Sequence, residues 1–260
     1  MSEAKQFFNT RAAQIAQQSL DRIAREEIIG MVVARSGYGK SAAITQWRNH
    51  RGDRYRHIWV ECTPNTQMRP VLTALVNALG IGKSSGAAAN LHVTEERIAQ
   101  RLAEDPVTII FDQADFFTVR TFELLRCIWD RVSLLRGFDG ERAFPLALFG
   151  EIKLRHLLER DDLERLRRRT FHKAELPPLS LKELELILQT KWADFRCEGE
   201  VLRELHQLAG GSFGWVNNIM RVAVELAAKP AAAGKDGHGI TSAILRATQK
   251  HLMFGLPEEE

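Results

Sequence analysis

Read from the N-terminus, the chain opens with a helical period. Ala13, Ile15, Ala16, Leu20, Ile23 and Ala24 fall on one face between residues 10 and 26, with Thr10 placed to cap it. The pattern then changes. EIIGMVVA (27–34) is apolar without alternation, as expected of a strand buried on both faces of a sheet. Four further stretches read as strands: RHIWVECT (56–63), VTIIFD (107–112), FPLALFG (144–150) and FHKAEL (171–176). Helical stretches separate them: SAAITQWRNH from Ser41, MRPVLTALVNALG (68–80) stopping at Gly80, one over 94–104 capped by Thr94, one over 118–136, and a charged one ending at Arg169. Strands alternating with helices predict an α/β fold, a three-layer arrangement around a parallel five-stranded sheet. Beyond PPLS (177–180) every remaining pattern is helical. The change predicts an α/β domain over 1–178, a helical domain over 179–255, and a disordered acidic tail over 256–260.

Composition narrows this little. Hydrophobic residues make up 45% and charged residues 27%, ordinary for a globular protein. The longest apolar runs, 143–150 and 222–228, are too short for a membrane span, and MSEAKQFFNTRAAQ lacks the apolar core of a signal peptide. Cys62, Cys127 and Cys197 are widely separated, which reads as reduced thiols of a cytoplasmic protein and not as a zinc site. Net charge is only +3. Lys153, Arg155, Arg160, Arg165, Arg167, Arg168, Arg169 and Lys173 are interleaved with acids, which reads as a solvated face laced with ion pairs. Phe116, Phe117 and the five tryptophans sit in apolar patterns and are assigned to packing.

The chemistry is concentrated in ARSGYGKS (34–41), which follows a buried strand and precedes a helix. That context is what a phosphate-binding loop needs, because consecutive backbone N–H groups and a helix N-terminus wrap the phosphates. Ser36, Gly37, Tyr38, Gly39, Lys40, Ser41 and Ala42 are the candidate ATP contacts. Lys40 supplies the charge, and Ser41 a hydroxyl for Mg²⁺. Ala34 stands where the pattern usually has its first glycine. Asp112, closing VTIIFD, is the second candidate for the metal. The next position usually carries a glutamate that activates water. Here it is Gln113, whose amide orients water but cannot take its proton, so hydrolysis is expected to be slow or blocked. Gln113 fits either a natural nucleotide switch or an isosteric replacement of a catalytic glutamate. Asp115 lies two residues too far along to take over easily.

With those residues in place the chain resembles the AAA+ ATPases of transposition, the phage Mu B protein and its TnsC/TniB relatives. The resemblance runs from Thr10 to Leu252 and rests on ARSGYGKS, CTPNTQMRPVLTALVNALGI, FDQADFFTVRTFELLRCIWD, LALFGE, LERLRRRTFHKAELPPLSLKEL, GGSFGWVNNIMRVAVELA and ITSAILRAT. It implies an ATP- and Mg²⁺-loaded homo-oligomer, a ring or helical filament, that wraps duplex DNA without reading its sequence and presents a target to a transposase. It places Arg169, with Arg168 as the alternative, where an arginine finger would reach a neighbouring copy's nucleotide, and Glu151 at the sensor position after the fourth strand. The arginine usual in the lid helix aligns with Gly214 and is missing. Mu B carries an extra N-terminal helix-turn-helix region, so DNA contact by this chain is expected from its core. The candidates are Thr66, Gln67 and Arg69 after the second strand, Thr118, Arg120 and Thr121 after the third, and Lys83. Two other readings stay open: an initiator- or clamp-loader-like ATPase, and a signalling nucleotide switch that recruits proteins without DNA. A metabolic P-loop kinase is disfavoured, for lack of an acceptor site.

Overall fold

The computed structural model describes residues 7–51, 54–82, 91–138, 140–197, 199–228 and 239–252. Lys83 and the expected tail 256–260 lie outside them. Five strands form one sheet: β1 (Ile29–Val33), β2 (His57–Glu61), β3 (Thr108–Asp112), β4 (Leu146–Gly150) and β5 (Thr170–Glu175), in the order β2-β3-β4-β1-β5. All neighbours run parallel, as the strand–helix alternation predicts. The three inner strands are buried at every position, whereas the edge strands β2 and β5 alternate or grade towards solvent. Unbroken apolar runs in the sequence therefore mark the centre of the sheet.

Two compact units divide the chain. The α/β unit comprises Gln14–Ala34 and Lys40–Leu176. It contains the sheet with most of α1 (Arg11–Glu26), and α2 (Lys40–Arg51), α3 (Met68–Ala78), α4 (Leu91–Glu104), α5 (Val119–Leu135), α6 (Ile152–Leu158) and α7 (Glu164–Arg169). Met31 and Val33 join Phe111, Leu148, Phe122 and Trp129 in one continuous core. Trp129 also donates its ring N–H to the Phe144 carbonyl at 3.1 Å, so its polar edge is satisfied. Gly30 turns the other way, towards α1. A Cβ there would stand 2.3 Å from the Ile23 side chain, so the missing side chain is what lets α1 lie close to the central strand.

Local boundaries differ from expectation in two places. Among the described residues α4 begins at Leu91, which puts Thr94 inside the helix instead of at its cap. The charged stretch before Arg169 is not one helix. It is α6, a 3-10 turn over Asp161–Leu163, and α7, broken where Asp162 pairs with Arg160 at 2.8 Å.

The second unit is helical: α8 (Leu181–Lys191), α9 (Glu200–Leu208), α10 (Phe213–Ala227) and α11 (Ser242–His251). Leu184, Leu205, Ile219, Met220 and Leu245 form its core. A capping box starts α8, with the Ser180 hydroxyl accepting from Glu183 N–H and the Glu183 carboxylate accepting from Ser180 N–H. This unit also takes in described residues of Met1–Ala13 and Arg35–Gly39, which sequence order alone does not bring to residues 177 onward.

Candidate functional site

The loop leaving β1 has the conformation its glycines permit. Gly37 and Gly39 have φ of +77° and +87°, in the left-handed region that disfavours any Cβ. Lys40 begins α2 and is buried, its Nζ donating to the Ala34 carbonyl at 2.8 Å. That bond uses main chain, so it is indifferent to whether residue 34 is alanine or glycine. Burial lowers the Lys40 amine below its ordinary range, opposed by the carboxylates of Glu151, Asp112 and Asp115.

Asp112, at the end of β3, is 1% exposed, and neither carboxylate oxygen has a hydrogen bond of good geometry. Burial pushes its carboxyl above the usual range, while the nearby Ser41 hydroxyl and the Lys40 charge pull it down. Two buried acceptor oxygens without donors are costly unless something else completes them. A hydrated Mg²⁺ carried with nucleotide fits that donor set: Asp112 oxygens, the exposed Ser41 hydroxyl, and Lys40 for phosphate charge. Bound there, the metal would neutralise phosphate charge; the chain's own part is to hold it.

Gln113 follows in a left-handed conformation (φ 62°, ψ 40°), unusual for a residue with a long side chain. It opens a 3-10 turn, Ala114–Phe116. Asp115 in that turn is buried, and both of its oxygens are engaged. Oδ1 accepts from the Glu151 backbone N–H at 3.1 Å, and Oδ2 pairs with Lys153 Nζ at 3.1 Å. A Cβ on Gly150 would stand 2.8 Å from Oδ1, so glycine at the end of β4 is what admits the bridge. Asp115 thus ties the turn carrying Gln113 to the strand end carrying Glu151. Sequence reasoning misses this role; the only available signal is a polar residue three positions after Asp112.

Arg168 and Arg169 both end α7. Arg169 is turned back onto α5, its Nε 3.0 Å from an Asp130 oxygen, while Arg168 is largely exposed and pairs with Glu164 at 2.6 Å. In the helical unit, Gly214 N–H donates to the Gly37 carbonyl at 3.2 Å, the Ser212 hydroxyl to the Ser36 carbonyl at 3.4 Å, and the Tyr38 hydroxyl to the Gly210 carbonyl at 3.1 Å. A Cβ at 214 would lie 3.2 Å from Gly37 Cα. The missing arginine therefore has a steric counterpart: residue 214 meets the loop through its main chain.

The two loops expected to face DNA are brought together. Gln67 donates to the carbonyls of Pro64 (3.0 Å) and Phe116 (3.2 Å), and its Oε1 accepts from Thr118 N–H (3.3 Å) and the Thr121 hydroxyl (3.2 Å). This corrects two of the six described expectations. Gln67 divides its amide between its own loop and the neighbouring one, and Thr121 is fully buried, so neither presents a free polar group to a phosphate. Thr66 is half-buried and accepts from Thr63 N–H at 2.9 Å. Arg69, Thr118 and Arg120 are exposed.

A profile describing an AAA domain matches residues 23–158, just over half of the chain. The chain belongs to this AAA domain family. No curated protein sequence matches the AAA chain. Solved structures resemble it over nearly its whole length. Cdc6p from Pyrobaculum aerophilum superposes with a TM-score of 0.66 at 12% identity, over 98% of this chain and 70% of that one. The Aeropyrum pernix ORC1 protein, in complex with DNA, gives 0.58 at 17% identity, over 93% and 64%. The ORC2 protein of the same organism, in its ADP form, gives 0.57 at 15% identity, over 95% and 71%. These likenesses establish the AAA+ P-loop fold of the chain. Among the described residues no helix is long and apolar enough to cross a membrane.

Proposed function

We propose that this AAA+ ATPase binds ATP with Mg²⁺, assembles on duplex DNA as a ring or filament, and in that state presents a target to a transposase. The observation that carries the DNA part is the Gln67 bridge. It locks the loop after β2 to the segment after β3, directly beyond Asp112 and Gln113. Exposed Arg69 and Arg120 therefore stand on the same framework as the groups that meet the nucleotide. Phosphate contacts repeated along an oligomer supply affinity without sequence preference.

In this reading Ser36, Gly37, Tyr38, Gly39, Lys40, Ser41 and Ala42 hold the phosphates, and Ser41 with Asp112 holds the metal. Gln113 orients water without accepting its proton, and Glu151 faces Lys40 from the sensor position. Arg169, released from Asp130, or Arg168 reaches the nucleotide of a neighbouring copy. A second reading, an initiator- or clamp-loader-type ATPase, is supported by the fold likeness to the ORC1 protein solved with DNA.

Electron microscopy of the full chain with random-sequence duplex tests both. With ATP or a non-hydrolysable analogue, long assemblies are expected on DNA, and Lys40→Ala should abolish them. Short closed rings favour the initiator-type reading. Monomers indifferent to nucleotide would sink both readings.

A further inference from the structure

Residues 47–59 read WRNHRGDRYRHIW and have no part in the site described above. They end α2 and open the edge strand β2. Arg48, His50 and Arg51 lie in the last turn of α2, where the helix C-terminus favours cations. Arg54 and Arg56 follow. His50, Arg51, Arg54 and Arg56 are exposed. Aromatic rings back two of these cations, Arg48 and Arg54. The Arg48 guanidinium lies 4.7 Å from the Trp59 ring centroid and that of Arg54 5.4 Å from Tyr55, while Tyr55 stacks on Trp47 at 5.9 Å with an interplanar angle of 10°. A guanidinium on a ring face is poorly hydrated on the covered side and can still offer N–H edges to a second partner, although Arg48 already gives its Nε–H to His57 Nε2 at 3.0 Å.

The charge balance also sets this surface apart. In the other arginine-rich stretch, Arg155, Arg160, Arg168 and Arg169 each hold a carboxylate at 2.6–3.0 Å. Here Asp53 is the only acid within the stretch. Asp21 approaches Arg51 at 3.6 Å, and Asp105 is shared by Arg56 and Arg101. Among the described residues, Arg48, Arg51, Arg54, Arg56 and Arg101 thus stand with Asp21 and Asp105 as their carboxylate partners. The surface is also separate from the nucleotide loop. Arg51 lies at the other end of α2 from Lys40, about 17 Å along a helix of this length.

From this juxtaposition we infer that the α2–β2 corner is a second, sequence-independent binding surface for the phosphate backbone of duplex DNA. The inference rests on the proposal that the chain binds DNA, and extends it to a surface remote from the two loops. Planar, ring-backed guanidiniums suit phosphate oxygens, which accept paired N–H bonds.

The test is fluorescence anisotropy with a random-sequence duplex, full-length chain and ATP, across a salt series. Replacing Arg51, Arg54 and Arg56 together by Ala should flatten the slope of log K against log salt by about 2–3, near 0.9 for each phosphate no longer neutralised. Nucleotide affinity and melting temperature should stay as they are, and Arg54→Ala alone should flatten the slope by about 0.9. Arg160→Ala, Arg165→Ala and Arg203→Ala combined remove the same charge elsewhere and should leave the slope in place. An unchanged slope in the first triple variant, with wild-type DNA binding intact, overturns the inference and spares the DNA reading. Equal flattening by the control triple overturns it too, since charge alone would then suffice. So does a variant that keeps DNA but loses poly-glutamate, which would assign the corner to acidic proteins. Absence of any wild-type DNA binding removes the DNA reading and this surface together.

Discussion

The charges around Lys40 and those along residues 152–169 obey opposite rules. Lys40, Asp112 and Asp115 are buried, and neither carboxylate oxygen of Asp112 has a well-formed hydrogen bond. Arg155, Arg160, Arg168 and Arg169 are more exposed, and each has a carboxylate at hydrogen-bond distance. Counting ion pairs would rank the second region as the important one. Physical chemistry reverses that ranking, because exposed pairs are screened by water whereas a buried, incomplete set costs free energy until a ligand completes it. Unsatisfied burial, and not the density of charge, marks the candidate nucleotide site proposed for this molecule.

The contrast can be broken from either side. The largest effect is expected at Gln113. Gln113→Glu restores a proton acceptor beside Asp112 and should raise steady-state ATP turnover about 10²- to 10⁴-fold, the usual range for general-base catalysis. Unchanged phosphate release would mean that residue 113 is not where the base belongs. Next is Asp115, whose carboxylate joins two strand ends. Asp115→Ala leaves the Glu151 N–H without its acceptor and should cost about 1–3 kcal/mol in urea denaturation. Asp115→Asn retains an oxygen for that N–H and should cost less, and equal costs would show that the bridge is not what matters. The smallest effect belongs to the charged run: Arg160→Ala should leave the denaturation midpoint where it is, because its partner Asp162 is as open to water as it is. A clear drop in stability there would contradict the ranking.

Much of this is legible in the sequence, for reasons that differ by residue. Gly37, Gly39, Lys40 and Ser41 are adjacent in the chain and act through local backbone conformation, so their spacing carries the message. Asp112 is legible because a fully buried strand leads straight to it. The bridge from Asp115 across Gly150 to the Glu151 N–H escapes, since a hydrogen bond spanning 36 residues leaves no periodic trace. Gln67 misleads for the same reason: a polar residue in a loop looks exposed until the neighbouring loop is folded against it. Ala34 looks like a flaw in the motif and is not one, because the Lys40 bond uses its carbonyl.

The sequence by itself determined the strand–helix alternation, the central strands, the glycine-rich loop proposed to hold phosphate, and a glutamine where the proposed mechanism calls for a base. Each of these is written in contiguous residues, where period, apolar runs and glycine placement act locally. Only the tertiary structure decided that the Asp112 carboxylate is buried without a well-formed hydrogen bond, that Asp115 joins two strand ends, that Gly214 meets Gly37 through main chain, and which loop residues remain open to solvent. Those facts depend on segments distant in the chain being packed together, and burial and hydrogen-bond completion exist only once that packing has formed.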